Sequence, residues 1–236
     1  MSGLPSTAAI AVEALTVRYR RAVGCEGVSL RVPRGVIYAL LGREGAGKSS
    51  VIRAVRGEEK PAGGRVLVCG LDSKKDRRRV RRLLEGDAPP AIVLDDPDLS
   101  TPDARESLDR AARRGVAILL ASADAAAIEP IAGRVGVLRS GRMVLDQDAS
   151  ALRERFRRIR YRNERTPTRE DYGTELDAFD AVRVRVRGWG IEAVVSNFSE
   201  DRLSALRSTD GVLDVTSEPL SLGEIFDAVS PTAGRA

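Results

Sequence analysis

The sequence predicts an α/β core with a mainly parallel sheet, followed by a small α+β domain. Continuous apolar runs at residues 36–41, 91–94 and 116–120 are typical of strands buried on both faces of a parallel sheet. Segments of helical periodicity alternate with these runs, as in layered α/β folds. After Ala149 the pattern changes, and residues 182–187 alternate strictly between valine and arginine. This alternation predicts a strand with one buried and one charged face.

The other elements follow from local pattern and turn chemistry. Two strands, residues 10–20 and 28–32, form an N-terminal antiparallel part and end at the turn Pro33-Arg34-Gly35. The glycine-rich segment after residue 41 opens a helix, and turn residues 61–64 lead into another strand. Together the predicted helices are residues 48–55, 76–84, 103–113, 124–131, 149–158, 200–207 and 222–229. The strand after this turn is residues 65–69, and the other strands are residues 134–138, 142–145, 191–195 and 212–216.

These patterns divide the 236-residue chain into four parts. Residues 1–148 are predicted to form the α/β core domain. Residues 149–172 are predicted to form an arginine-rich helix and a linker that contains Pro167. Residues 173–230 are predicted to form the small α+β domain, and residues 231–236 a tail.

Composition excludes several classes of protein. No run approaches the roughly 20 apolar residues that cross a bilayer, and the first residues lack the pattern of a signal peptide. Cys25 and Cys69 are not in a metal-binding spacing, and the chain has no histidine. We therefore expect a cytoplasmic protein, peripheral at the inner face of the cell membrane if it binds there.

Basic residues give a formal net charge of +5 and cluster in two places. Residues 74–82 hold seven basic residues in nine, and residues 153–169 hold eight in seventeen. Each cluster fits either a solvated surface or a surface that meets a partner or lipid headgroups. Only 4 of the 39 basic residues are lysine, which indicates a compositional bias and does not favour a nucleic-acid partner.

A phosphate-binding loop stands between the first buried strand and the helix after it. Its residues are Gly42, Arg43, Glu44, Gly45, Ala46, Gly47, Lys48 and Ser49, followed by Ser50. Glycines let successive N–H groups point at phosphate oxygens, and the helix N-terminus adds its positive end. Lys48 is predicted to reach the terminal phosphates, and the Ser49 hydroxyl to coordinate Mg²⁺. Asp95, at the end of a buried strand, is the predicted second magnesium ligand.

With these residues, the chain resembles the ATP-binding subunit of ATP-binding cassette (ABC) transporters over residues 12–147. The matching segments are residues 15–19, 27–30, 35–50, 60–66, 95–97 (the Walker B segment) and 135–142. The resemblance implies that residues 1–148 are an ABC-type nucleotide-binding domain, truncated between Ser49 and Ala91. It implies a P-loop NTPase core with ATP and Mg²⁺ as cofactors, and Tyr19 stacking on adenine. It implies Lys48 and Asp96 as catalytic residues, Asp96 at the general-base position. The implied partners are a membrane permease subunit and a second ATP-binding subunit, identical or different.

Residues 157–198 also resemble an appendage of some bacterial ABC exporter subunits, which implies an exporter. The chain departs from the family pattern between Ser49 and Ala91, which are separated by only 41 residues. This gap leaves out most of the family's membrane-facing helical subdomain, its signature motif and its glutamine loop. Ala123 stands where the family has a histidine, and Asp96 where it has a glutamate. The missing methylene withdraws the carboxylate by about 1.5 Å, a displacement that can cost on the order of a hundredfold in rate.

Four hypotheses remain open at this point. The chain is a reduced ABC ATP-binding subunit that binds nucleotide with impaired hydrolysis, or an active ABC ATPase completed by a partner subunit. Alternatively it is a P-loop kinase or stand-alone NTPase, or a regulatory or nucleic-acid-binding module not coupled to transport. Phosphate release separates the first two, and salt-dependent DNA binding would support the last.

Overall fold

The computed structural model describes residues 8–20, 22–164, 175–188 and 190–231. The chain forms two compact units, residues 1–149 and 150–236. Among the described residues, no helix has both the length and the apolar character needed to cross a membrane. The stretch around Pro167 that was predicted as a linker, and all but the first residue of the predicted tail, lie outside the described residues.

The first unit begins with an antiparallel sheet. Its strands are β1 (Ala8–Tyr19), β2 (Ala22–Pro33), β4 (Gly63–Val68) and β5 (Leu71–Asp72), in the order β2-β1-β4-β5. Alternate residues of β1 and β2, among them Leu15, Val17, Val28 and Leu30, are buried in one core. The sheet is therefore the predicted antiparallel part, with one face toward that core.

The second sheet of this unit is mainly parallel and carries the phosphate-binding loop. Its strands are β3 (Ile37–Gly42), β6 (Ala91–Asp95), β7 (Ala117–Ser122), β8 (Arg134–Arg139) and β9 (Arg142–Asp148). The order is β6-β7-β3-β8-β9, and only β9 runs antiparallel. All residues of β3 and β7 are buried, as the apolar runs predicted. The predicted α/β class is confirmed.

Helices connect the strands of the first unit, and one more helix follows its last strand, β9. They are α1 (Lys48–Val55), α2 (Arg77–Leu84), α3 (Pro102–Arg113), α4 (Ala125–Ile128) and α5 (Ala149–Arg155). The Thr101 hydroxyl accepts from the N–H of Ala104 at the start of α3, and the Asp124 carboxylate caps α4 in the same way. These side chains pair N–H groups that lack partners within the helix.

The described part of the second unit contains a four-stranded antiparallel sheet and further helices. Its strands are β10 (Arg157–Asn163), β11 (Ala181–Arg187), β12 (Gly190–Val195) and β13 (Val212–Pro219), in the order β11-β12-β10-β13. Helix α6 (Glu200–Arg207) connects β12 to β13, and α7 (Leu222–Val229) follows β13. A short 3₁₀ turn, Asp177–Phe179, precedes β11. This strand order is that of the ferredoxin-like β-α-β-β-α-β arrangement.

The predicted arginine-rich helix is shorter than expected. We predicted a helix over residues 149–158 and a linker after it, but α5 ends at Arg155 and β10 begins at Arg157. Ile159 and Tyr161 are buried with period two, while Arg158 and Arg160 form ion pairs with the carboxylates of neighbouring strands. The alternating pattern and these cross-strand partners favour a strand over a helix.

The prediction of a buried valine face on residues 182–187 is wrong. These residues form β11, as predicted, but β11 is an edge strand of the sheet. Val182 and Val186 are 37% and 48% exposed, and only Val184 packs against the core of this unit. An edge strand is flanked on one side only, so neighbours cover less of its apolar face.

Candidate functional site

The loop between β3 and α1 has the backbone geometry that its glycines predict. Gly45 has φ +71°, and Gly47, which caps α1, has φ +100°. Both conformations favour glycine, because L side chains rarely adopt them. The alternation of positive and negative φ curls the loop into a concave backbone of the kind that binds anions.

Gly24 and Gly141, from two other segments, pack against Gly47 and hold the loop in place. A Cβ atom added at Gly47 would lie 2.1 Å from the carbonyl oxygen of Gly24 and 3.4 Å from the Cα atom of Gly141. The N–H of Gly141 donates to the Ala46 carbonyl at 3.0 Å, and the N–H of Glu26 donates to the Gly141 carbonyl at 2.8 Å. The loop is therefore fixed between β2 and the β8–β9 turn. Sequence reasoning missed Gly24, although a glycine inside a strand signals close backbone approach.

Lys48 is half-buried at the first position of α1 and points back over the loop. Its ammonium group donates to the carbonyl oxygens of Gly42 at 2.7 Å and Arg43 at 3.2 Å. Burial lowers the pKa of Lys48, and the carboxylates of Asp96, Asp95 and Glu44 oppose this shift. The structure thus brings both predicted acidic residues within electrostatic range of Lys48.

Asp95 and Asp96 end β6 on the same side of the sheet as the loop. Asp96 has φ +50°, a left-handed conformation that aspartate tolerates better than most residues. Its N–H donates to the Ala121 carbonyl at 2.8 Å, and the Ser122 hydroxyl donates to its Oδ1 at 3.2 Å. Ser122 is buried and precedes Ala123, the residue in the histidine position. Sequence reasoning missed the contact between Ser122 and Asp96, because only the fold brings β6 and β7 together.

Tyr19 lies at the end of β1 beside the start of α1. Its hydroxyl donates to the Ser50 hydroxyl at 3.2 Å, and 38% of the residue is exposed. Gly24 packs under this pair, since a Cβ there would lie 2.4 Å from Ser50 Oγ and 2.8 Å from Tyr19 Cε2. The structure places Tyr19 next to the loop and leaves part of its surface open to a ligand.

The remaining predicted site residues are exposed to different degrees. Glu44 and Ser49 are exposed, Arg43 is half-buried, and Ala46 is buried beneath the loop. Asp95 is half-buried and Asp96 is exposed. The polar groups predicted to meet phosphate and Mg²⁺ therefore lie at the surface above a buried strand and helix.

Strand β6 lies at one edge of the parallel sheet in the described part of the chain. The Arg56 guanidinium, just beyond α1, donates to the Val93 carbonyl on this strand at 2.6 Å. A cavity of about 260 Å³ runs beside the strand and is also lined by Arg81 and Leu84 of α2. An arginine side chain thus takes one of the acceptors that a neighbouring strand would use.

The chain has a glycine-rich loop between a buried strand and a helix, with a lysine and a serine at the helix start and an aspartate ending a second strand. This arrangement is that of a P-loop. The family model described as "ABC transporter" matches residues 25–98. The chain resembles the ATP-binding subunits of ABC transporters.

Curated relatives match over short segments. A methionine import ATP-binding protein, MetN 1 of Rhodopseudomonas palustris, is 45% identical over 64 residues, which is 25% of this chain and 17% of the relative. A zinc transport system ATP-binding protein, TroB of Treponema pallidum, is 42% identical over 81 residues, 34% of this chain and 30% of the relative. The chain therefore spans less than a third of the length of these relatives.

Solved structures show the same fold over a longer stretch. An ATP-binding subunit of an ABC transporter has a TM-score of 0.55 at 20% identity and covers 61% of this chain and 91% of its own. The protein cbiO1 of Clostridium perfringens, part of the ABC transporter complex cbiONQ, has a TM-score of 0.52 at 16% identity, over 61% and 90%. The ABC-type P-loop NTPase fold predicted from the sequence is confirmed.

Proposed function

We propose that this chain is an ABC-type ATP-binding subunit that binds Mg-ATP at the P-loop and hydrolyses it poorly. The observation that carries the proposal is the position of Lys48, held over the loop within electrostatic range of Asp95 and Asp96. The loop supplies a concave backbone and a cation for phosphate oxygens. The two carboxylates supply the negative charge that a magnesium ion needs nearby.

The residues present fit the nucleotide and its metal. Lys48 would leave the Gly42 and Arg43 carbonyls to bind the terminal phosphates, while Ser49 and Asp95 would hold Mg²⁺ together with phosphate oxygens. Magnesium is usually bound through one or two protein ligands plus phosphates, so a dedicated cluster of acidic side chains is not needed. When bound, Mg²⁺ neutralises charge on the phosphates. Tyr19 would offer its exposed ring surface to the adenine.

Two features support impaired hydrolysis. Asp96 is one methylene shorter than glutamate, and its carboxylate already accepts a hydrogen bond from Ser122. Ala123 supplies no polar side chain beside it. A general base has to come within hydrogen-bond reach of the attacking water, and a shorter, tethered carboxylate reaches less far.

Nucleotide binding is tested by titrating the purified protein with a fluorescent ATP analogue and Mg²⁺. Lys48→Ala should weaken binding about ten- to a hundredfold, because hydrogen bonds to charged groups contribute about 1.5–3 kcal/mol. Lys60→Ala is the matched control, since Lys60 is exposed and lies outside the loop. Equal affinity in wild type and Lys48→Ala would show that the loop is not the binding site.

Hydrolysis is tested by phosphate release under conditions that saturate the site. The wild-type rate should lie close to the rate of Lys48→Ala and well below about 1 s⁻¹, the lower end of the usual range of enzyme turnover. A rate within that usual range would refute impaired hydrolysis. Turnover that arises only on adding a complete second ATP-binding subunit would support the alternative, an active ATPase completed by its partner.

The partners we propose are a membrane permease and a second ATP-binding subunit. One structural neighbour, the MJ0796 cassette bound to ADP and phosphate, is described as dimeric, with a TM-score of 0.51 at 13% identity over 59% of this chain and 98% of its own. Co-purification with candidate permeases tests the first partner, and light scattering with and without Mg-ATP tests the second. Export as the direction of transport stays a prediction from the C-terminal unit, and peripheral location at the cytoplasmic face a prediction from composition.

A further inference from the structure

The two basic clusters of the sequence have different fates in the structure. In the second cluster, Arg158, Arg160 and Arg162 are paired with carboxylates on strands β12 and β13 and on helix α7. Arg158 alone approaches Glu192, Glu218 and Glu224. These arginines of the cluster are therefore accounted for by the fold of the second unit.

In the first cluster, the arginines toward the body of the protein and along the sides of α2 have partners. Arg77 donates to the carbonyls of Gly57 and Glu58, at 2.6 and 2.8 Å. Arg79 pairs with Asp76 at 3.3 Å, and Arg81 pairs with Glu85 at 3.8 Å.

The outer face of α2 differs from the rest of the helix. Val80 is fully buried, and Arg78 and Arg82 lie two residues to either side of it, on the opposite face of the helix. Both are exposed, as is Lys74 in the turn before α2. Among the residues that the structure describes, none forms an ion pair with the side chains of these three. We call Lys74, Arg78 and Arg82 the α2 basic stripe.

Like charges four residues apart destabilise a helix, so Arg78 and Arg82 cost the isolated fold a little stability. An external anionic surface would remove that cost. We propose that the α2 basic stripe docks the protein on the anionic headgroups of a lipid bilayer. The stripe lies outside the cavity beside β6, and its three side chains include no aromatic ring. This favours a diffuse sheet of charge over a discrete ligand or stacked bases.

The proposal does not depend on nucleotide binding, so its test is separate from the tests above. The full-length protein is sedimented at low salt and without nucleotide, together with vesicles of phosphatidylcholine that contain roughly one third phosphatidylglycerol as the anionic lipid. Each basic residue near such a surface contributes about fivefold in affinity. The triple variant Lys74→Gln, Arg78→Gln and Arg82→Gln should therefore bind on the order of a hundredfold more weakly.

A matched control removes the same number of charges elsewhere on the first unit. Lys60, Arg34 and Arg114 are exposed, and replacing them with glutamine again removes one lysine and two arginines. The control should keep most of the wild-type vesicle binding. Circular dichroism and thermal melts establish that both triple variants are folded.

Three results would overturn the proposal. One is no binding of the wild type to anionic vesicles at low salt, and another is an equal loss in both triple variants, which would show a response to net charge alone. The third is tighter binding to duplex DNA than to vesicles at the same salt. A wild-type protein that binds anionic vesicles but not ATP would refute the proposed function and leave this proposal standing.

Discussion

Replacing Gly47 with alanine should damage the nucleotide-binding unit far more than the same change at Gly45. Both residues have positive φ, +100° and +71°, so both substitutions force an L side chain into an unfavourable backbone conformation. That conformation costs roughly 1–2 kcal/mol. Only Gly47 is also in close contact with another backbone segment.

The size of the difference follows from the packing around each position. A Cβ atom at Gly47 would lie 2.1 Å from the Gly24 carbonyl oxygen, whereas one at Gly45 would meet nothing within 4 Å. Relief of this overlap has to move the loop or β2 by roughly 1 Å, and forced repacking of this kind typically costs about 1–3 kcal/mol. We expect Gly45→Ala to cost about 1–2 kcal/mol and Gly47→Ala about 2–5 kcal/mol.

Calorimetry of the full-length variants measures this difference, since the two proteins share every other contribution. For a chain of this size each kcal/mol corresponds to a shift of roughly 2–4 °C in Tm. ATP affinity should fall with Gly47→Ala and change less with Gly45→Ala. Equal stability of the two variants would refute the contact between Gly47 and Gly24 as a constraint on the loop.

Three other substitutions test the second unit. A hydrogen bond from Arg158 lowers the pKa of Glu224 from 4.5 to about 2, so the wild type should lose stability as the pH falls from about 4.5 toward 2. Glu224→Gln should remove this contribution to the pH dependence of stability, which is about 1 kcal/mol because solvent screens the half-exposed pair. Thermal melts of both proteins at pH 6 and pH 3 would measure the difference. Val186→Thr on the exposed edge should change stability by less than about 0.5 kcal/mol. Val195→Thr, in the core, should cost about 1–3 kcal/mol, and equal effects in urea denaturation would contradict the burial of these valines.

The first unit was predictable because its signals are local. Strands buried on both faces, such as β3 and β7, require a continuous apolar run, and that run is visible without knowledge of the fold. The second unit was less predictable from the sequence, because the burial of Val186 depends on whether β11 is an inner or an edge strand. The end of α5 at Arg155 was missed because the arginines of residues 157–162 also suit a helix face, and their carboxylate partners lie 30 or more residues away in the sequence.

The same limit applies to the candidate site. The loop, Lys48 and Asp95 lie in contiguous motifs, so the sequence alone predicts them. The contacts of Ser122 with Asp96 and of Gly24 with Gly47 join residues from different segments of the chain. No pattern within one segment encodes them, and they follow only once the order of strands in the sheet is known.

The Arg56 side chain covers the edge of β6, the strand that ends at Asp95, the proposed magnesium ligand. A strand from any other chain that paired with β6 at Val93 would have to displace the Arg56 guanidinium from the Val93 carbonyl. Val93 lies two residues before Asp95. If that displacement changed the affinity of the proposed magnesium ligand Asp95 for its metal, the bound metal would change the affinity of the sheet edge for its partner strand by the same factor.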